Sequence, residues 1–202
     1  MAAPTPADIH PESGCRLPLP RRADLDAEGQ AIFDSFTGAN TESLVGLRGP
    51  GGVRLHSPRA AALAQPITRY LRFEALPPRL RELAILVTAR EHDSRFEWAA
   101  HEPQALNDGV PQAVIDVIKH RKGLDGLAAE DAEVIQLGRE LFGEHRVRSE
   151  TFAGILARHG ARATVDLVAL MGNYAATAAL LAAVDQQVPA GRPLLPVPWD
   201  ER

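Results

Sequence analysis

The sequence predicts an all-α protein with about seven to eight helices, and three observations support this fold class. Ala and Leu dominate the apolar residues, whereas aromatic residues make up only 5% of the chain. Ala and Leu are strong helix formers, while strands favour β-branched and aromatic residues. No segment shows the strict alternation of apolar and polar residues that marks a half-buried strand. The 202 residues suffice for a single domain with a substantial core.

The helices are predicted from apolar periodicity, capping residues and breakers. Ser57 and Pro58 are typical of a helix start, and Pro66 is expected to kink or break the helix that follows. Gly38–Gly52 lacks phosphate-binding spacing and is expected to be a plain loop. The predicted helices are Asp24–Thr37, Pro58–Glu74, Pro77–Glu91, Arg95–Asn107, Pro111–His120, Ala128–Gly143, Ser149–His159 and Ala161–Asp185.

Three parts are expected along the chain. Residues 1–22 contain five prolines and predict an extended N-terminal arm. Residues 23–187 hold all the predicted helices without an internal linker, so they are expected to form the helical domain. Residues 188–202 are predicted to be a Pro-rich C-terminal tail.

Charge and cysteine content argue against several function classes. The formal net charge is -4 and no basic stripe is present, so nucleic acid is not an expected partner. Cys15 is the only cysteine, which excludes an intrachain disulfide, a dithiol redox pair and a cysteine-based metal site. A single cysteine fits a protein of the reducing cytoplasm. The N-terminal residues show no apolar stretch typical of a secretory signal.

One apolar segment has the composition of a possible membrane span. Residues 167–184 carry no charge and reach the lower length limit for spanning. Asp166 and Asp185 close its ends, and we expect a buried helix of a soluble protein, with no membrane partner. Its small residues favour a close helix contact, within one subunit or between subunits. They are Gly172, Ala175, Ala176, Ala179 and Ala183.

The segment from Pro77 to Asn107 concentrates groups that can move protons. Glu97 and His101 are four residues apart, so on a helix they share one face. A carboxylate one turn before an imidazole can accept its N–H and orient the ring as a general base or acid. The alternative is a surface ion pair that contributes little to stability.

Glu82 stands on the preceding predicted helix, among apolar residues. It must therefore lie on the exposed edge of that helix or be buried with a partner. If it is buried, we expect a raised carboxyl pKa, which would suit a proton carrier. Its apolar neighbours are Leu80, Leu83, Ile85, Leu86 and Val87.

The helix pair containing RELAILV, a polar break and EWAAH resembles the carboxymuconolactone decarboxylase / alkylhydroperoxidase D family. The leader CRLPLPRRADL, the LHSP stretch and the Ala-rich last helix also resemble this group. The resemblance implies a helical bundle of the alkylhydroperoxidase D-like type. It also implies homo-oligomers, commonly trimers or hexamers.

The family has two chemical branches, and the residues around His101 separate them. In the peroxidase branch, a Glu is followed by a Cys-x-x-Cys motif and then a His. Aligned on His101, the Glu falls at Glu82 and the cysteines fall at Ser94 and Glu97, so a thiol peroxidase is disfavoured. The decarboxylase branch has a Glu-x-x-x-His pattern that Glu97 and His101 match. That branch implies no thiol, metal or organic cofactor.

The resemblance therefore implies a cofactor-independent acid–base enzyme. We expect a decarboxylase or lyase acting on a small anionic substrate, namely a carboxylated lactone or a related unsaturated acid. The expected catalytic residues are His101 as proton donor or acceptor, Glu97 as its orienting partner and Glu82 as a second relay group.

Four further side chains are candidates for binding the substrate. His56 and Arg90 could anchor a carboxylate, although each is also an ordinary surface residue type. Trp98 could form a pocket wall or pack in the core. Tyr174 could offer its hydroxyl to a pocket or to a helix contact.

Other readings of the same residues remain open. The Glu–His pair could serve a lactone hydrolase or isomerase. Glu82, Glu97 and His101 could together bind a divalent metal, although a typical site would contain more than one histidine, and we expect no metal. The chain could also be a non-catalytic oligomeric binding protein.

Overall fold

Helices make up the regular structure of this chain. The computed structural model describes residues 6–39, 41 and 43–198. Within these residues it contains eight α-helices and no β-strand, which confirms the predicted all-α class. The helices are α1 (Ala27–Thr37), α2 (Pro50–Arg54), α3 (Pro58–Phe73), α4 (Pro78–Glu91), α5 (Arg95–Asn107), α6 (Gln112–Lys119), α7 (Ala129–Arg139) and α8 (Ser149–Ala183).

Some predicted features fall outside the described residues. These are residues 1–5 of the predicted arm, residues 40 and 42 of the predicted loop, and residues 199–202 of the predicted tail.

Two local features differ from the sequence prediction, and a third agrees with it. Pro66 does not break α3, because the proline lies on the exposed side, where the carbonyl that loses its hydrogen bond can face water. The predicted loop Gly38–Gly52 runs into the short helix α2, which begins at Pro50 in the position that proline favours. The predicted break at Gly160 is confirmed, with φ of 75° and helix on both sides.

The described residues belong to two compact units. One comprises residues 1–67 and 179–191, and the other comprises residues 68–178 and 192–202. The second unit contains α4 to α7, and it holds Glu82, Glu97 and His101. The division into arm, helical domain and tail remains a prediction.

Helix α4 is the central element of the second unit. Every residue from Glu82 to Arg90 is buried, and α4 packs against α5, α6 and α7. Gly138 on α7 permits a close approach, since a Cβ there would lie 2.2 Å from Val87 Cγ1. Apolar residues around most of the circumference of α4 allow it to pack against three helices at once.

Glu140 links the end of α7 to the start of α8. The chain passes between them through a π-helix, Glu140–Glu144. The fully buried Glu140 carboxylate accepts hydrogen bonds at 2.6–2.9 Å from Gln136, Thr151, the Arg148 backbone N–H and the Arg148 guanidinium. Burial alone would raise the pKa of Glu140, but these bonds outweigh it and lower the pKa to about 2.

The C-terminal residues of the second unit are bound to its helices. Leu195 is fully buried and Val197 nearly so, both within the main apolar core. Arg90 Nη1 donates to the Pro196 carbonyl at 2.6 Å, and Arg95 Nε donates to the Leu195 carbonyl at 3.3 Å. This end of the chain therefore contributes directly to the core.

The first unit joins the N-terminal residues to the chain after α8. The Arg16 N–H donates to the Val184 carbonyl at 2.8 Å, and the Gln187 N–H donates to the Gly14 carbonyl at 2.7 Å. Cys15 is buried between these bonds, in a small apolar cluster with Val53 and Val184.

Helix α8 is long and apolar enough to cross a membrane by length and composition alone. Its most apolar window has a mean hydropathy of 1.5, and 39% of that window is buried. Core helices of soluble proteins meet the same criteria, so this feature does not establish a membrane location.

Candidate active site

Two consecutive helices position the predicted catalytic residues. Glu82 lies on α4, while Glu97 and His101 lie one turn apart on α5. A connection of three residues turns the chain back between the helices, with Asp93 in the left-handed region at φ of 50°. The turn brings the buried faces of α4 and α5 together, and the three residues are at most 4% exposed.

His101 and Glu82 form the shortest contact of the site. His101 Nδ1 lies 2.7 Å from Glu82 Oε2, with both groups buried. An ionised carboxylate can only accept, so Nδ1 carries the hydrogen and the other ring nitrogen, Nε2, is left for chemistry.

Glu97 lies on the opposite side of the imidazole ring. Its Oε2 is 3.8 Å from His101 Nε2, which is too long for a hydrogen bond. The prediction that Glu97 orients His101 is therefore wrong in its detail, because Glu82 has the geometry of the orienting partner. The helical spacing that suggested Glu97 places two residues on one face but does not fix how their side chains turn.

Glu82 remains acidic although it is buried. Burial would raise its carboxyl pKa, but the hydrogen bond and charge of His101, together with those of Arg81, outweigh this and lower the pKa. Arg81 Nε donates to Glu82 Oε1 at 2.9 Å. The raised pKa that the sequence predicted for Glu82 is therefore wrong. The apolar neighbours along the helix do not show that His101 and Arg81 both bind the carboxylate.

Tyr174 from α8 completes the surroundings of His101. Its Oη lies 3.3 Å from His101 Nε2, and the two rings meet edge to face with centroids 5.2 Å apart. Burial raises the pKa of the Tyr174 hydroxyl, which therefore stays protonated and can donate to Nε2.

The other predicted binding residues have partners of their own. Trp98 is fully buried and its Nε1 donates to Glu102 Oε2 at 2.6 Å. Arg90 is buried and binds Asp93 as well as two backbone carbonyls. His56 belongs to the first unit, where its Nε2 lies 2.9 Å from the Pro18 carbonyl.

Sequence reasoning missed Arg81 and Asp108. Arg81 Nη2 donates to Asp108 Oδ2 at 2.8 Å, so these two residues extend the polar network behind Glu82. The adjacent residues Arg81 and Glu82 in the sequence could have suggested the contact of Arg81 with Glu82. Nothing in the sequence links Asp108 to Arg81, which is 27 positions away.

The site does not have the geometry of a shared metal site. Glu82 and Glu97 approach opposite nitrogens of His101, so the imidazole ring separates the two carboxylates. Among the described residues, no group of three or more His, Cys, Asp or Glu side chains is arranged to hold a metal ion.

Comparisons with known proteins agree with the fold and with the resemblance noted in the sequence. The model of the carboxymuconolactone decarboxylase family matches residues 58–137, which include Glu82, Glu97 and His101. No curated protein matches the chain. A cysteine-to-alanine variant of the debrominase Bmp8, crystallised in complex with 2,3,4-tribromopyrrole, has a similar structure with a TM-score of 0.64. The two chains share 13% sequence identity, and the match covers 85% of this chain and 90% of that chain.

At this identity the structural likeness shows a common fold. The predicted resemblance to the carboxymuconolactone decarboxylase family is confirmed over residues 58–137, while the Glu-x-x-x-His branch remains a prediction.

Proposed function

We propose that this protein is an acid–base lyase. The premise is that residues 58–137 are a segment of the carboxymuconolactone decarboxylase family. Its proposed reaction is decarboxylation of a small carboxylated lactone or a related unsaturated acid. The single observation that supports this best is the buried contact of 2.7 Å between His101 Nδ1 and Glu82 Oε2. This contact gives His101 a fixed ring orientation and a partner for its positive charge.

The proposed proton transfer takes place at His101 Nε2. Loss of CO₂ leaves the bonding electron pair on the substrate carbon, where a conjugated carbonyl holds it as an enolate. The imidazolium Nε2–H then protonates that carbon, and the neutral ring regains a proton from water. The Glu82 carboxylate stabilises the imidazolium before the transfer, because the two groups are close and shielded from solvent.

Tyr174 and Glu97 flank the nitrogen that does this chemistry. The protonated Tyr174 hydroxyl can donate to the enolate oxygen as negative charge develops there. Glu97 is placed to accept a hydrogen bond from a substrate hydroxyl or from the imidazolium after a small movement. Since these groups are almost fully buried, substrate access requires displacement of the side chains that cover them.

An anionic substrate needs a cation near the site. Arg72, at the end of α3, acts electrostatically on Tyr174. Its guanidinium lies over the ring of Phe73, 5.1 Å from the ring centroid, so this contact does not neutralise its charge. We therefore propose that Arg72, rather than Arg90, binds the substrate carboxylate. The Arg90 guanidinium already binds the Pro196 carbonyl and the Asp93 carboxylate.

A substrate screen with released CO₂ as the readout tests the proposed reaction. Carboxylated lactones and unsaturated carboxylic acids form the test set, and the organic product of each reaction is identified. Decarboxylated product supports the lyase. Ring-opened or isomerised product without CO₂ supports the lactone hydrolase or isomerase, and the absence of turnover across the set contradicts both.

Glu82→Gln is expected to lower kcat roughly 100-fold or more on the substrate so identified. A neutral amide cannot stabilise the imidazolium and does not impose one imidazole tautomer. Glu91→Gln is the matched control, because Glu91 lies on the same helix and pairs with Arg121 at 3.5 Å. Equal kcat values for the two variants would remove Glu82 from the mechanism.

The predicted homo-oligomer remains a proposal, and the exposed face of α8 is its suggested interface. Val165 is 66% exposed and Val168 is 37% exposed. The exposed positions that follow them, Ala169, Gly172 and Ala176, are small and uncharged, which permits close approach of a second copy.

Gly172→Leu tests this interface without crowding the folded chain. A Cβ at position 172 would meet nothing within 4 Å, and leucine favours a helix more than glycine does. The larger side chain should weaken association by ~10-fold or more, equivalent to about 1.4 kcal/mol. Light scattering coupled to size-exclusion chromatography measures the effect, with Ala113→Leu at an exposed position of α6 as the control. An unchanged mass for Gly172→Leu would exclude this face as the interface.

A further inference from the structure

A guanidinium lies on the opposite side of Glu82 from His101. Arg81 Nε donates to Glu82 Oε1 at 2.9 Å, while His101 Nδ1 meets Oε2 at 2.7 Å. Each carboxylate oxygen therefore has its own partner. This arrangement makes Glu82 the link between an arginine and the imidazole.

Arg81 is itself fixed by contacts with two other parts of the chain. Its Nη2 donates to Asp108 Oδ2 at 2.8 Å, at the end of α5, and its Nη1 donates to the Arg72 carbonyl at 2.9 Å, near the end of α3. Gln104 in turn donates to the second oxygen of Asp108 at 3.1 Å. The side chain of Arg81 is only 12% exposed. Because a guanidinium is planar and rigid, these anchors set the direction of its Nε–H toward Glu82.

We propose that Arg81 is a positioning residue, which holds Glu82 ionised and oriented so that His101 carries its proton on Nδ1. Nε2 is then the nitrogen that faces Tyr174 and Glu97. A protonated Glu82 would donate to Nδ1 instead, and the neutral ring would carry its proton on Nε2. Nε2 would then be unable to accept a proton, so the choice of tautomer decides what the ring can do.

The other charges around Glu82 do not replace Arg81. Glu97 and Asp108 are acids, and each opposes a further negative charge in a buried place. Tyr174 is neutral, because burial raises its pKa. The charged and titratable groups around the pair are Arg81 on α4, Glu97 and His101 on α5, Asp108 at the end of α5, Tyr174 on α8 and Arg72 on α3.

Nuclear magnetic resonance of the full-length protein tests this inference without a substrate. The chain has seven histidines, so ¹⁵N-histidine labelling gives few signals, and His101→Gln identifies the one that belongs to His101. At a pH where the His101 ring is neutral, the wild-type protein is expected to show protonated Nδ1 and unprotonated Nε2. In Arg81→Gln, the Nε2–H tautomer should appear, and the ¹³C-labelled Glu82 carboxyl should titrate at higher pH than in the wild type.

Arg79→Gln is the matched control. Arg79 lies two residues earlier on α4 and binds Asp131 and the Gly109 carbonyl, at 2.9 and 3.2 Å. Its substitution should leave both signals at their wild-type positions. Circular dichroism establishes that each variant is folded. Wild-type signals in Arg81→Gln, or equal changes in Arg79→Gln, would overturn the inference.

Arg81→Lys serves if the glutamine variant does not fold. Lysine keeps the charge, but its single ammonium group cannot reach Glu82, Asp108 and the Arg72 carbonyl together. A minor Nε2–H population is therefore expected, and a pure Nδ1–H signal would contradict the positioning role. The inference rests on the proposed acid–base function of His101. The two fail separately, because the tautomer is measured independently of turnover.

Discussion

His101→Ala is expected to lower turnover of the screened substrate by roughly 10²–10⁴-fold, the usual contribution of a positioned general acid or base. The alanine removes the only group that contacts both Glu82 and Tyr174 in the described site. The loss should appear mainly in kcat, because the imidazolium contributes less to binding the substrate than to protonating the enolate formed when CO₂ leaves. Steady-state kinetics with CO₂ release measures this loss.

The control for this prediction is His120→Ala, which replaces an exposed histidine at the end of α6. It should retain wild-type kcat and KM. A His101→Ala protein that is folded and retains wild-type kcat would refute the assignment of His101 as the proton donor.

Glu140→Gln is expected to lower the free energy of unfolding by on the order of 3 kcal/mol at neutral pH. The neutral amide would leave the Arg148 guanidinium without its carboxylate. It would also place an NH₂ group where the carboxylate accepts three side-chain hydrogen bonds and one backbone hydrogen bond. Urea unfolding followed by circular dichroism measures the difference, and activity should persist wherever the variant is folded.

The pH dependence of this difference identifies the carboxylate as its cause. The folded-state pKa of Glu140 is about 2, which is below the ordinary value of 4.5. The ionised carboxylate therefore stabilises the fold above the unfolded-state pKa, and this stabilisation is lost as the pH falls from near 4.5 toward about 2. The gap between the wild-type protein and Glu140→Gln should shrink over this range. A gap that stays constant would contradict the ionic origin.

Glu133→Gln provides the comparison on α7, the helix that precedes Glu140. Glu133 forms two hydrogen bonds with Arg158, at 2.7 and 3.0 Å, but both partners are partly exposed. Its loss should cost no more than about 1 kcal/mol, as for other surface ion pairs. Similar destabilisation by both substitutions would mean that burial of Glu140 is not the decisive factor.

The helices of the central pair were predictable because their signals are local. Pro78 occupies the first position of α4, and the run from Leu83 to Val87 predicts a helix buried on all sides. The short polar break at residues 92–94 separates α4 from α5. These features depend on neighbours within one or two turns, so they can be read without knowledge of the tertiary structure.

The contacts within the site were less predictable because they depend on how helices pack. Glu97 was assigned to His101 from a spacing of four residues, whereas the short contact belongs to Glu82, 19 residues away. Likewise, Leu195 follows no helical periodicity, yet it is fully buried, next to hydrogen bonds from Arg95 to its own carbonyl and from Arg90 to the Pro196 carbonyl. The π-helix after α7 begins at the buried Glu140, whose carboxylate accepts a hydrogen bond from the Arg148 N–H eight residues later, and no local sequence pattern predicts that contact.

The burial of C-terminal residues in the core affects how relatives of this protein should be recognised and how truncated variants should be designed. The segment that matches the family ends at residue 137, but Tyr174 and Leu195 lie beyond it in sequence and inside the same apolar core. Two sequences can thus agree over the shared segment and still differ in the aromatic hydroxyl beside the imidazole. The matched segment consequently includes neither all of the apolar core nor all of the candidate active site.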